Sequence, residues 1–444
     1  MTPGDTVLAH GLGGSSDLPI PLTAALIGAA WALTFTFAVV ALAWRTPKFD
    51  PGNPAHVVPG LTRIVDSPVI RWLAALLALA FAVWVVLAGW LGPAQEDSNP
   101  LPGVFYVLLW VGLVGVSVLF GPVWRLLSPI RTLTLTAPRC LRRGRVAYPA
   151  WLGYYPGAAG LFAFVWLELA SPHPASPSAV KIWIICYTAV MLAGVGVFGD
   201  RWLTRGDPFD VYSVVVCRLS PFRRDPASGR IAIGNPFDHL PSLPIRPGLV
   251  VVLAVLLGST AFDSFSATPG WRNLVDGLSD GSAALATSIR TAGLAVFILV
   301  VATTFSTAAR ATGGVNRYQR RKLPGELAHS LVPIVVGYVF AHYLTYLVER
   351  GQRAVIALVD PFDRGWNPLG LAGADVSYVL STHPAVLSSL KVSFVLAGHI
   401  VAVIAAHDRA LRILPKDHQL TGQLAMMLVM VFYTFMGLYL LFGG

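Results

Sequence analysis

The sequence predicts an all-α fold, a polytopic membrane protein of about ten transmembrane helices with both termini extracytoplasmic. Three observations carry that expectation. The 444 residues are 55% hydrophobic and only 12% charged, against about 25% charged in a soluble domain. The mean hydropathy is +0.65. Apolar runs of roughly 20 residues, enough to cross a hydrocarbon core, recur along the whole length.

The spans are placed at about 21–44, 69–91, 104–124, 150–170, 180–200, 248–267, 289–309, 325–349, 386–410 and 420–442. The chain is read as one transmembrane domain, 1–444, with two long connections. Residues 201–247 form a basic cytoplasmic loop, and residues 350–385 an extracytoplasmic one. Of the 32 Lys and Arg, 25 fall in the loops after spans one, three, five, seven and nine, and five fall in the alternate loops. Cytoplasmic loops carry the excess of Lys and Arg, so this alternation orients every span. It also accounts for the net charge of +10 without nucleic acid; the partner implied is membrane lipid. The first twenty residues lack a basic n-region, so the first span is expected to serve as the insertion signal into the plasma membrane.

Shorter features follow. VYSVVVC is apolar but too short to span, and reads as an interfacial or re-entrant piece. RIAI (230–233) could pair as a small strand. DPFD occurs at 207–210 and 360–363 and NPFD at 235–238. The favoured reading is a turn, with Asp or Asn starting it and Pro fixing φ. VWRLLSPIRTL and VCRLSPF read as helix ends at the cytoplasmic interface, with Trp124 an anchor and Ser-Pro a stop. Cys140, Cys186 and Cys217 have no CxxC spacing and make no disulfide framework. GxxxxGK[ST], HExxH and GxSxG are absent, so ATP-driven transport and the common hydrolase motifs find no support.

Ionisable groups inside a spanning helix are costly and usually mark a site. They concentrate in spans eight and nine: His329, His342, Lys391, His399, His407 and Asp408. With Glu326 and Arg409 as cytoplasmic ends, the 1.5 Å rise puts His329 about 4–5 Å deep, His407 about 3 Å, His399 about 15 Å and His342 about 24 Å. His329 and His342 point about 140° apart, which argues against one four-histidine cluster. His342 and His399 are the expected cofactor-binding pair, because deep imidazoles need compensation. His329, His407 and Asp408 are the alternative metal set, although head groups could satisfy imidazoles at that depth. Neutral imidazole suits copper, iron or haem. Glu168, at the outer end of span four, could form an ion pair with Lys391. Asp263 would cap the exit of span six. His10 is an extracytoplasmic copper candidate.

AHGLGGSSDLPIP, VYSVVVCRLSPF, GSTAFDSFS, FAHYLTYLV and AGHIVAVIAAHDRAL together resemble a group of actinobacterial integral-membrane proteins that carry the label fenitrothion hydrolase. The resemblance runs over nearly the full chain. It departs in the opening GLGGSSD, where a larger residue is expected at Gly13 and a more polar one at Ser15. The label implies attack of water on an organophosphate, which a metal held by His and Asp could activate. Three functions therefore stand: an intramembrane histidine site in a redox or metal-handling role; a metal-dependent membrane hydrolase; and a secondary transporter with Lys391, His399 and Glu168 in a proton or substrate path. Pro333 is the one clear mid-span proline, and no inverted repeat is visible.

Overall fold

A computed structural model of the chain describes residues 18–95, 98–136, 142, 144–312, 314–362, 364–371 and 374–443. His10, Gly13, Ser15 and Cys140 lie outside them.

The order is helical almost throughout. The apolar run Leu22–Ala43 forms α1. The strand β1 (His56–Val57) leads into α2 (Pro59–Asp66) and α3 (Pro68–Leu91). Both helices start on Pro, whose missing N–H costs nothing in a first turn. α4 (Pro100–Phe120) contains a π-helical stretch, Val104–Gly112. α5 (Trp124–Leu127) stops at Ser128 and α6 (Pro129–Thr136) restarts at the next residue, so Ser-Pro does end a helix here. Then come α7 (Tyr155–Leu169), α8 (Pro177–Phe198) and α9 (Pro208–Val216). β2 (Phe222–Arg224) and β3 (Ile231–Ile233) precede α10 (Pro236–His239). The remainder is α11 (Leu249–Ser266), α12 (Pro269–Ser279), α13 (Ala283–Arg310), α14 (Arg317–Leu327), α15 (Leu331–Thr345), α16 (Gly351–Val359), α17 (Pro384–Ile413) and α18 (Leu424–Phe442).

Among the described residues, nine helical segments are long and apolar enough to cross a membrane. They match nine of the ten expected spans. The exception is the fourth: α7 is 15 residues long. A short helical turn at Ala150–Leu152 precedes it, but Gly153 breaks the continuity with φ +45°. The chain there is pinned, because Tyr154 N–H donates to the Pro247 carbonyl at 2.7 Å.

The eighth segment is longer than expected. Its helical run extends from Arg317 to Val359, 43 residues. So Glu326 lies inside the run rather than at its end, and helix continues past residue 350 into the expected outer loop. A tight turn at Ala328–Ser330 separates α14 from α15. Pro333 is thus in the first turn of α15, where a missing N–H is tolerated.

The chain divides into two compact units. Unit 1 comprises the described parts of 1–48, 253–350 and 376–444, and unit 2 those of 49–252 and 351–375. In unit 1, α15 and α17 run antiparallel at close range. A Cβ on Gly337 would meet the Phe394 carbonyl oxygen at 2.5 Å, and one on Gly398 the Pro333 carbonyl oxygen at 2.6 Å. Small residues of this kind let helix backbones approach where lipid supplies no hydrophobic drive.

In unit 2, the basic loop expected at 201–247 is folded. All nine residues of α9 are buried. Asp207 caps it, accepting from Phe209 N–H at 3.0 Å, and Asn235 caps α10 in the same way at 3.0 Å. The DPFD and NPFD tetrapeptides at 207 and 235 are thus Asx-Pro helix starts. Ile231–Ile233 is the centre of an antiparallel sheet of order β1–β3–β2. Trp124 is not an interfacial anchor: it is buried, and its indole N–H donates to Asp207 at 2.9 Å.

Candidate functional site

In unit 1, two helices, α11 and α15, bring buried polar side chains together. On α11, Ser259, Thr260, Asp263 and Ser264 fall within six positions, and all are buried. On α15, Tyr338 and His342 stand four apart, one helical turn, on one face. His342 is 1% exposed and Asp263 3%.

His342 bridges two α11 side chains. Its Nε2 is 2.9 Å from Asp263 Oδ2, and its Nδ1 is 3.1 Å from Ser264 Oγ. A carboxylate only accepts, so Nε2 carries the proton in the neutral ring and Nδ1 accepts from the Ser264 hydroxyl. Tyr343 donates to the same Asp263 oxygen at 2.8 Å. Tyr338 lies 3.2 Å from Ser264 Oγ and also reaches the Gly437 carbonyl at 3.5 Å. The result is one buried line of groups: Tyr338, Ser264, His342, Asp263, Tyr343. Every member can donate or accept a proton, and the Asp–His pair at its centre joins two helices.

Asp263 is therefore not a cap at the exit of span six; it is the partner of His342. Sequence reasoning does not single out Asp263, Ser264, Tyr338 or Tyr343 as site residues. The signal was present in GSTAFDSFS. Thr260, Asp263 and Ser264 recur at helical spacing, and polar groups sharing one face of a spanning helix need a protein neighbour.

His399, the other expected member, does not join this line. Its Nδ1 faces the Val395 carbonyl at 2.8 Å. Its Nε2 is buried and meets no hydrogen-bond partner among the described residues. Lys391 is fully buried on the same helix, two turns earlier.

The alternative set is also buried rather than facing head groups. His329 Nδ1 lies 3.1 Å from the Glu326 carbonyl. His407 spans Gln423 Oε1 and the Trp44 carbonyl, both at 3.0 Å. Asp408 accepts from Trp44 Nε1 at 3.0 Å and Lys48 N–H at 2.6 Å. This cluster ties the end of α1 to α17. Glu326 pairs with Arg409 beside it.

Neither expected ligand set is assembled among the described residues. Both ring nitrogens of His342 and of His407 are already engaged. Among the described residues, no three His, Cys, Asp or Glu side chains converge as a ligand set. The cavity lined by Ala406, Ala410, Gln423 and Met426 is about 20 Å³, room for about one water. Glu168 is buried in unit 2 and Lys391 in unit 1.

Unit 2 has a polar centre of its own. Asp207 accepts from Trp124, from Phe209 and from the Tyr187 hydroxyl at 3.1 Å. One turn on, Asp210 meets Arg131 at 3.2 Å and Arg125 at 3.4 Å. Burial, with the Asp210 charge adding to it, pushes the Asp207 carboxyl up to about 6.

Comparison with protein-family models, curated proteins and solved structures returns no match to this chain. The roles of these residues rest on their own geometry.

Proposed function

We propose that this is a multi-pass plasma-membrane protein of secondary-transporter type, in which the Asp263–His342 pair takes up and releases a proton inside unit 1. The observation that carries the reading is that pair: a carboxylate and an imidazole 2.9 Å apart, buried between two spanning helices. Ionisable groups at such positions are maintained against a desolvation cost and commonly serve proton paths. The hydroxyls of Ser264 and Tyr343 extend the pair in both directions and give a proton somewhere to go. No substrate is specified by this geometry.

The test uses purified protein in liposomes with a pH-sensitive dye inside. Pools of small solutes are added under an imposed pH gradient. A pool that drives proton movement with the wild type should fail to do so with Asp263→Asn and His342→Gln, both inserted and monodisperse. Equal proton movement in wild type and both variants would remove the proposal.

One observation favours a hydrolase instead, as the family resemblance implies. Ser264, His342 and Asp263 stand in the order nucleophile, base and orienting acid, at 3.1 and 2.9 Å, which needs no metal. Against it, Ser264 is completely buried. Covalent labelling of Ser264 by a fluorophosphonate, lost in Ser264→Ala, would favour hydrolysis over transport.

A further inference from the structure

The turn between α13 and α14 builds a groove of one sign of charge. α13 ends at Arg310. Thr312 then anchors the chain, its hydroxyl donating to the Ala309 and Gly422 carbonyls at 2.9 and 3.1 Å. Gly314 reverses the chain at φ +76°, where a Cβ would also strike the His418 ring. Asn316 caps α14 in a reciprocal capping box with Gln319. The turn is therefore held on both sides, and it sets the α14 positions 317, 320 and 321 against Arg310. Those three positions are spaced i, i+3, i+4 and share one helical face.

Arg310, Arg317, Arg320 and Arg321 together line an open groove of about 490 Å³. No Asp or Glu occurs between Asp280 and Glu326, and Glu326 is taken by Arg409. None of the four guanidinium groups has an ion-pair or hydrogen-bond partner among the described residues. Four like charges facing one concavity repel one another, and a bound anion relieves that repulsion. Guanidinium forks match phosphate oxygens in particular. The groove sits at the end of a spanning helix, in a loop that the charge asymmetry assigns to the cytoplasm, where basic pockets meet phosphate head groups.

We propose that this groove binds a ligand bearing two or more phosphate groups, as a lipid headgroup or as a free polyphosphate. It is separate from the Asp263–His342 pair and does not depend on the transport reading.

The full chain, purified in neutral detergent and stripped of lipid, is titrated with two probes: diphosphatidylglycerol in phosphatidylcholine nanodiscs, and sodium pyrophosphate. Binding is read by native mass spectrometry and thermal unfolding. At least one probe should bind the wild type, and Arg317→Gln/Arg320→Gln/Arg321→Gln should weaken it on the order of a hundred-fold. Should that variant fold poorly, Arg310→Gln alone, on the opposite wall, should weaken binding about five-fold. Binding of the lipid alone identifies a headgroup site, and binding of pyrophosphate a soluble ligand. Arg63→Gln/Arg201→Gln/Arg230→Gln, with the same loss of net charge elsewhere, should bind as the wild type does. The proposal is overturned if neither probe binds, or if the control triple is weakened as much as the groove triple.

Discussion

At His342 both ring nitrogens are spoken for; at His399 one is not. The difference sets opposite expectations for the same substitution. His342→Leu strips a buried carboxylate of a charge-assisted bond and should cost about 2–3 kcal/mol, read as a lowered thermal midpoint in detergent. His399→Leu removes one buried nitrogen that meets no partner among the described residues, along with an Nδ1 that bonds only the Val395 carbonyl of its own helix, and should be near neutral. A haem or metal held by His399 would reverse this: the variant would lose absorbance or bound metal and melt earlier. Asp207 gives a pH-dependent case. Its folded pKa of about 6 lies above the ordinary 3.8. Below the ordinary value both states are protonated, and the group contributes no difference. Between about 4 and 6 the unfolded chain releases the proton first, so stability falls as pH rises, by on the order of 3 kcal/mol in full. Relative to wild type, Asp207→Asn should gain thermal stability from pH 4 to pH 6.5; a constant gap between the two across that range would count against the raised pKa. Sequence identified His342 because imidazole in a span is conspicuous. It missed Asp263 because a carboxylate near a helix end looks like a cap, and only the packing of α11 on α15 shows otherwise.

At the scale of elements, α15 and α17 meet backbone to backbone. Gly337 and Gly398 face carbonyl oxygens of the opposite helix, at 2.5 and 2.6 Å from any added Cβ. Backbone cannot rotate away as a side chain can. Gly337→Val or Gly398→Val should therefore separate the helices and cost about 1–3 kcal/mol. Gly196, where an added Cβ meets nothing within 4 Å, is the control: Gly196→Val should leave the thermal midpoint nearly unchanged. Equal effects at all three sites would show that the loss is one of glycine flexibility rather than of close approach. Most helices were legible from composition, since a 20-residue apolar run has few other fates. α9 was not. VYSVVVC is too short to span and too apolar for a surface, and its burial depends on a capping Asp207 held by Trp124 and Tyr187 from distant segments. Such contacts leave no periodicity in the sequence.

For the whole molecule, the number of crossings turns on α7. Its 15 residues rise about 22 Å, short of a hydrocarbon core of about 30 Å. Length alone would leave nine crossings and put the termini on opposite sides. The charge pattern requires ten, because removing one crossing at α7 would move every later basic loop to the outer face. Two features reconcile a short helix with a crossing. Leu161, Phe164 and Val165 at its centre are buried by protein, so lipid thickness does not bound it directly. The turn at Ala150–Leu152 also lengthens the segment at one end. α7 should therefore cross. Val146 and Ala175 flank it and are both exposed. In a cysteine-free background, Ala175→Cys should react with a membrane-impermeant maleimide on intact cells, and Val146→Cys only after permeabilisation. Labelling of both from the same side would reduce the count to nine and invert the sidedness of every loop after residue 170, including the arginine groove between α13 and α14.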